Sequence, residues 1–114
     1  MITAAILICL APVAYDGDTL RCGNSPARVR LFGIEAPEIG ITGAIRARNA
    51  SQAEAAGGLI CEPRGTNYTR VVAICRNAAG VDIGKALLDK GLVKEWCAYS
   101  RNYYGTCAVA NRRP

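Results

Sequence analysis

The sequence predicts a small, β-rich α+β barrel stapled by disulfides. Three observations carry that expectation. Short apolar runs alternate with tight-turn signals, beginning with residues 5–15 and the Asp16-Gly17 dipeptide, the strongest two-residue hairpin signal. Two stretches, residues 44–56 and 81–90, have helical rather than alternating character. Six cysteines, at 9, 22, 61, 75, 97 and 107, bracket successive predicted turns or loops.

The elements follow in order. Residues 5–15 form an Ile/Leu/Val-bearing first strand that Asp16-Gly17 turns into a returning strand at Thr19 to Cys22. Asn24-Ser25-Pro26 makes a second turn before the strand Arg28 to Ile34, where Val29 and Leu31 face one way and Arg28, Arg30 and Phe32 the other. Pro37 ends that strand, and residues 39–43 read as a loop. Residues 44–56 are Ala-rich, with Ser51-x-x-Glu54 resembling a capping box, and Gly57-Gly58 stops a short helix. Leu59 to Glu62 and Arg70 to Arg76 read as a hairpin rich in β-branched residues. Ile83, Ala86, Leu87 and Lys90 fall at helical spacing before Gly91, a natural helix stop. Leu92 to Trp96 is a last short strand, and residues 98–114 carry no apolar period.

Composition narrows the chemistry. A chain of 114 residues, 51% hydrophobic and 20% charged, reads as one globular domain spanning residues 1–114. The net charge of +5 favours polyanionic partners. There is no histidine, which excludes Ser-His-Asp and Cys-His nucleophiles and histidine-containing zinc sites. No cysteines form a C-x-x-C pair, so zinc-ribbon and thioredoxin-type readings are weak. Sequence leaves many pairings open, and hairpin geometry suggests Cys9 with Cys22, Cys61 with Cys75, and Cys97 with Cys107. Such bridges imply an oxidising compartment. The opening MITAAILICLAPVA has the look of a signal-peptide core, but no Lys or Arg precedes its apolar run and cleavage after Ala14 would discard Cys9. It reads instead as a buried first strand, with an extracellular or periplasmic location expected from the cysteines and no export signal visible.

Three segments carry the candidate chemistry: VAYDGDTLRC (13–22), VRLFGIEAPE (29–38) and NYTRVVAICR (67–76), followed by GVDIGKALLDKGLVKEW (80–96). In this order they resemble the staphylococcal nuclease (thermonuclease-like) family, over about residues 8–99, with a divergent tail at 100–114. The resemblance implies an OB-type five-stranded barrel with one or two packed helices, and calcium-dependent hydrolysis of DNA and RNA. Residue by residue, it implies metal ligation by Asp18, Glu35 and the carbonyl of Ala36, and water activation by Glu38. Arg30 and Arg70 match its phosphate-binding arginines, and Tyr68 and Tyr99 its tyrosines near the nucleotide. Glu35 stands where the family usually has Asp, and Thr69 where it usually has Gly before the arginine.

The chemistry is coherent without the family. A phosphodiester is anionic, so cations must bring it to a carboxylate base. Calcium takes hard oxygen ligands, two arginines can hold phosphate oxygens, and a glutamate can act as general base through water. The partners expected are DNA and RNA; no membrane and no protein partner is indicated, and a monomer is expected. The rival expectation is a catalytically silent OB-type module that binds nucleic acid through its basic face.

Overall fold

The computed structural model describes residues 5–67 and 69–107. In chain order the elements are β1 (Leu7–Cys9), β2 (Val13–Ala14), β3 (Thr19–Arg21), β4 (Arg28–Leu31), β5 (Ile34–Glu35), α1 (Ala44–Ala55), β6 (Leu59–Asn67), β7 (Arg70–Asn77), α2 (Ile83–Asp89), β8 (Lys94–Glu95) and α3 (Cys97–Ser100). Six strands form one sheet in the order β1-β6-β7-β4-β3-β2, while β5 and β8 make a separate two-stranded ribbon. Every ladder is antiparallel except β4 with β7. The domain is thus β-rich α+β with a curled six-stranded sheet, three helices and three disulfides. A five-stranded count with one or two helices was expected; the described residues instead form eight strands and three helices, with a broken first strand, a separate β5–β8 ribbon and the short α3.

The curl is forced by connectivity. β1 and β2 are the two edges of the sheet, five inter-strand steps apart, about 24 Å if the sheet were flat. The link from Cys9 to Val13 can reach at most about 14 Å. The sheet therefore bends until its edges approach. The single strand expected over 5–15 is broken at residues 10–12, where Ala11 has φ 48° and Pro12 follows. Four of the polar groups exposed by that break are met by side chains, and the Leu10 carbonyl accepts from the Gly23 N–H at 2.6 Å. Asn24 Nδ2 donates to the Ile8 carbonyl (2.8 Å) and its Oδ1 accepts from the Leu10 N–H (2.9 Å). Gln52 of α1 does the same for the Pro12 carbonyl and the Ala14 N–H, at 2.9 Å each. Asn24 thereby covers the outer edge of β1, a site that would otherwise invite pairing.

Asp16-Gly17 is not a two-residue hairpin turn. β2 pairs with β3 through Val13↔Arg21 and Ala14↔Leu20, so the connection is longer, with Tyr15 and Asp16 N–H groups both directed at the Thr19 carbonyl. Gly17 is needed for space rather than for a left-handed backbone. A Cβ there would lie 2.7 Å from Ala36 Cβ and 2.9 Å from Ala47 Cβ, so the glycine lets the loop seat against α1 and the segment after β5.

Helix α1 is neither short nor frayed, and Ser51 does not open a capping box. The helix starts at Ala44 behind Gly43, and Ser51 lies in its interior. Ala44, Ala47, Ser51 and Ala55 form the buried stripe, a face of small residues that allows close packing on α2 and β2. Ser51 Oγ is buried without a hydrogen-bond partner. Helix α2 is capped by Asp82, whose side chain accepts from the Lys85 N–H at 3.2 Å.

All three hairpin-derived disulfides form: Cys9–Cys22, Cys61–Cys75 and Cys97–Cys107. Cys61 and Cys75 are directly opposed in the β6–β7 ladder. The core combines five of these cysteines with Leu20, Val29, Leu31, Ile34, Ile83, Leu87 and several alanines, and contains no aromatic residue among those described. A core of such small side chains gains less from apolar burial, and each local cross-link adds about 3 kcal/mol in the chain-entropy account. Among the described residues no helix is long and apolar enough to cross a membrane.

Urea unfolding tests the two packing features of this fold. Gly17→Ala must push apart two Cβ atoms fixed to backbone and is expected to lose about 2 kcal/mol. Ser51→Ala removes a buried hydroxyl that has no partner and is expected to gain about 1 kcal/mol.

Candidate functional site

Arg30 organises the site. Strand alternation in β4 puts Val29 and Leu31 into the core and turns Arg30 to the other face, where it is nonetheless buried. Its Nη1 donates to the carbonyls of Leu31 and Ile34, both at 2.8 Å. Nη2 lies 3.5 Å from Asp18 Oδ2, and the guanidinium sits 5.1 Å from the centre of the Trp96 ring. Burial pulls the Arg30 pKa below its usual value; Asp18 opposes that, Arg70 adds to it, and Asp16 and Glu35 oppose it. The charges acting on Arg30 thus come from all three sequence segments.

The Asp18 carboxylate is equally tied. Oδ1 accepts from Thr19 Oγ1 at 3.0 Å and Oδ2 accepts from the Ala36 N–H at 2.9 Å. That second bond spans 18 residues of sequence and fixes the backbone of Ala36 against Asp18. Leu31 N–H donates to the Asp18 carbonyl at 2.8 Å, adding a main-chain tie to β4. Asp16 Oδ1 accepts from the Asp18 N–H at 3.0 Å. Burial, and then the neighbouring Asp18, push the Asp16 carboxyl up to about 6. Two carboxylates on one loop against a single shared arginine form an electron-rich corner of hard oxygens.

The oxygen donors suit calcium, which accepts carboxylates, carbonyls and water in flexible geometry. Asp18 and the backbone of Ala36 are adjacent, and Glu35 precedes Ala36 with an exposed side chain. Among the described residues no three His, Cys, Asp or Glu side chains form a metal-holding group, so such a site relies on the Ala36 carbonyl and on water beside its carboxylates.

Two grooves flank the β5–β8 ribbon. The first, about 440 Å³, is lined by Arg30, Phe32, Arg64, Trp96 and Tyr99 around Gly33. Trp96 is tied there by its backbone N–H, which donates to the Gly33 carbonyl at 2.7 Å, and the Tyr99 ring leans on the Trp96 ring with centres 4.1 Å apart. The second, about 580 Å³, holds Glu35, Glu38, Arg46 and Lys94. The predicted residues therefore divide. Asp18, Ala36, Glu35, Arg30 and Arg70 share one electrostatic neighbourhood, and Tyr99 faces Arg30 across the first groove. Glu38 is exposed in the second groove, whereas Arg30 lines the first. Tyr68 lies outside the described residues.

Trp96, expected in the core or as a pocket wall, lines the first groove. Sequence reasoning missed Phe32 and Arg64 as groove residues, and the role of Glu95. Phe32 was legible, since it shares a face with Arg30 by strand alternation. Glu95 was not. Its buried carboxylate accepts from Ser100 Oγ (2.6 Å), Tyr104 N–H (2.9 Å), Thr106 N–H (2.9 Å) and Thr106 Oγ1 (2.7 Å). With Cys97–Cys107 and the Tyr104 hydroxyl donating to Asp82 at 2.9 Å, it folds the C-terminal loop that carries Tyr99. No protein-family model and no curated protein matches this sequence.

Glu95 makes the fold acid-sensitive. Burial alone would raise its pKa, but the hydrogen bonds from Ser100, Thr106 and Tyr104 outweigh it and hold the carboxyl below its ordinary 4.5. A carboxyl depressed in the folded state stabilises above its unfolded pKa, and that contribution fades as pH falls through the folded value. Thermal melts should show Glu95→Gln less stable than the parent at pH 7, with the gap closing below about pH 4.5.

Proposed function

We propose that this chain is a small calcium-dependent phosphodiesterase that hydrolyses DNA and RNA with little sequence preference. The observation that carries the reading is the convergence on Arg30: Asp18 of the DGDT loop pairs with its guanidinium, the turn between β4 and β5 accepts from it, and β7, which begins at Arg70, runs beside β4. A strand-edge ion pair needs none of that convergence, whereas a phosphodiesterase site has to bring carboxylates for a metal and arginines for the phosphate together.

In this reading Asp18, Glu35 and the Ala36 carbonyl hold calcium. Bound calcium supplies a Lewis acid for a phosphate oxygen. Arg30 has spent its Nη1 hydrogens on two carbonyls and one Nη2 hydrogen toward Asp18, leaving its Nε–H and one Nη2 hydrogen for phosphate. Arg70, half-buried at the start of β7, is the second cation. Glu38, exposed in the adjoining groove, takes the proton from the attacking water. Tyr99, and Tyr68 by the resemblance, contact the nucleotide. The OB-type reading gains support if β1 and β2 are halves of one bent strand. Five strands then close on a shared first strand, with β4 and β7 parallel. Three disulfides in a domain this small fit an oxidising, extracellular setting.

One observation favours the second reading, a nucleic-acid-binding module without activity. Glu38 lines the second groove and Arg30 the first, so base and clamp are not visibly coupled.

Incubation of plasmid DNA and RNA with calcium or with chelator separates the two. The nuclease reading expects cleavage only with calcium, a fall of about 100- to 10,000-fold in kcat for Glu38→Gln, and about 100- to 1,000-fold for Arg70→Ala. Cleavage that persists in chelator or in both variants overturns it, and binding without cleavage establishes the module instead.

A further inference from the structure

The second groove contains two cations for which the fold offers no use. Arg46, in the first turn of α1, and Lys94, on β8, both line it and are exposed. Neither makes an ion pair or a side-chain hydrogen bond among the described residues, although Glu35 and Glu38 line the same groove. Lys94 is the direct ladder partner of Glu35, yet the two do not close within ion-pair distance. Three other exposed cations are paired: Lys90 meets Glu54 at 2.7 Å, Lys85 meets Asp89 at 3.0 Å, and Arg64 meets Glu62 at 3.2 Å. The first turn of α1 also holds no acidic residue to balance Arg46, and an arginine at that end of a helix is in its less favourable place unless an anion joins it.

The groove borders the proposed reaction centre, since Ala36, whose N–H donates to Asp18, lines it. Glu35 belongs to the charges around Arg30 and also lines this groove. Lys94 and Trp96 are two residues apart on the same segment, about 7 Å along a strand, with Trp96 in the first groove and Lys94 in the second. A chain bearing regularly spaced anions that crosses the ribbon from the aromatic groove would enter the groove that Lys94 and Arg46 line. Ile41, 61% exposed, offers that path an apolar contact beside the two cations.

We infer that Arg46 and Lys94 form a second phosphate subsite that holds a polynucleotide beyond the scissile bond, so that the substrate is a chain gripped on both sides rather than a short end. The inference rests on the nuclease reading above and specifies its substrate class.

The test compares cleavage of a single-stranded oligonucleotide with cleavage of a dinucleotide. For Arg46→Ala and for Lys94→Ala the ratio of kcat/KM values, oligonucleotide over dinucleotide, should fall about tenfold, the loss of one charge-assisted contact. Arg46→Lys should recover most of the ratio, and Arg48→Ala, on the same helix but outside the groove, should leave it unchanged. Fluorescence anisotropy with the oligonucleotide should show the slope of log affinity against log salt become shallower by about 0.7 for each cation removed. Equal loss on both substrates, or an unchanged ratio, overturns the subsite. If the parent protein cleaves neither substrate, the nuclease reading fails by itself. The anisotropy slope then decides the subsite alone: shallower in both Ala variants upholds it, and unchanged slopes or no binding overturn it.

Discussion

A guanidinium removed from water must have its charge and its hydrogen-bond donors answered by the protein, and in this fold that demand falls on Arg30. Its two Nη1 bonds close the turn after β4 by binding the carbonyls of Leu31 and Ile34, and its Nη2 reaches the Asp18 carboxylate. Asp18 in turn fixes Ala36. The position of β5 follows from these bonds, and β8 follows from β5 through the register Ile34↔Glu95. Glu95 then gathers Ser100, Tyr104 and Thr106. A sequence of local dependencies thus runs from one buried cation to the C-terminal loop. Ion pairs of this kind bring little net stability, because desolvation offsets the attraction. Their effect here is to leave few other arrangements of the loops around the site.

The rest of the molecule solves a different problem, which is size. The described core has no aromatic side chain, and its apolar content is cysteine, alanine and medium aliphatics. The aromatic residues stand outside it, with Phe32, Trp96, Tyr99 and Tyr103 near one groove and its C-terminal loop, and Arg30 and Arg64 over their rings. Large flat side chains are thereby free for contact with a ligand, while disulfides and side-chain amides do the work of closure. The curled sheet has no ladder between β1 and β2; Cys9–Cys22, Asn24 and Gln52 stand in its place.

Much of this was legible before folding, and the misses have local causes. The capping-box pattern at Ser51 fits a helix start, but the helix begins at Ala44, because a stripe of alanines packing on α2 outweighs one capping preference. The Asp16-Gly17 signal fits a tight turn, yet the glycine answers to the approach of Ala36 and Ala47, residues that no local pattern links to it. The first strand reads as continuous, but the short connection between sheet edges breaks it at Ala11 and Pro12.

By itself the sequence determined the features that act over a few residues. These are the hairpin spacing that suggested the cysteine pairing, the glycine stop after α2, the alternation that sets Arg30 opposite Val29 and Leu31, and a histidine-free, basic composition. The tertiary structure alone decided which charges meet. It joined Asp18 to Ala36 and Arg30 to Trp96, set Glu38 in a neighbouring groove with Arg46 and Lys94, and hid Glu95 under the C-terminal loop. The reason is geometric: side-chain alternation and turn preference reach two to four residues along the chain, whereas these contacts depend on how far a six-stranded sheet must curl to bring its own edges together.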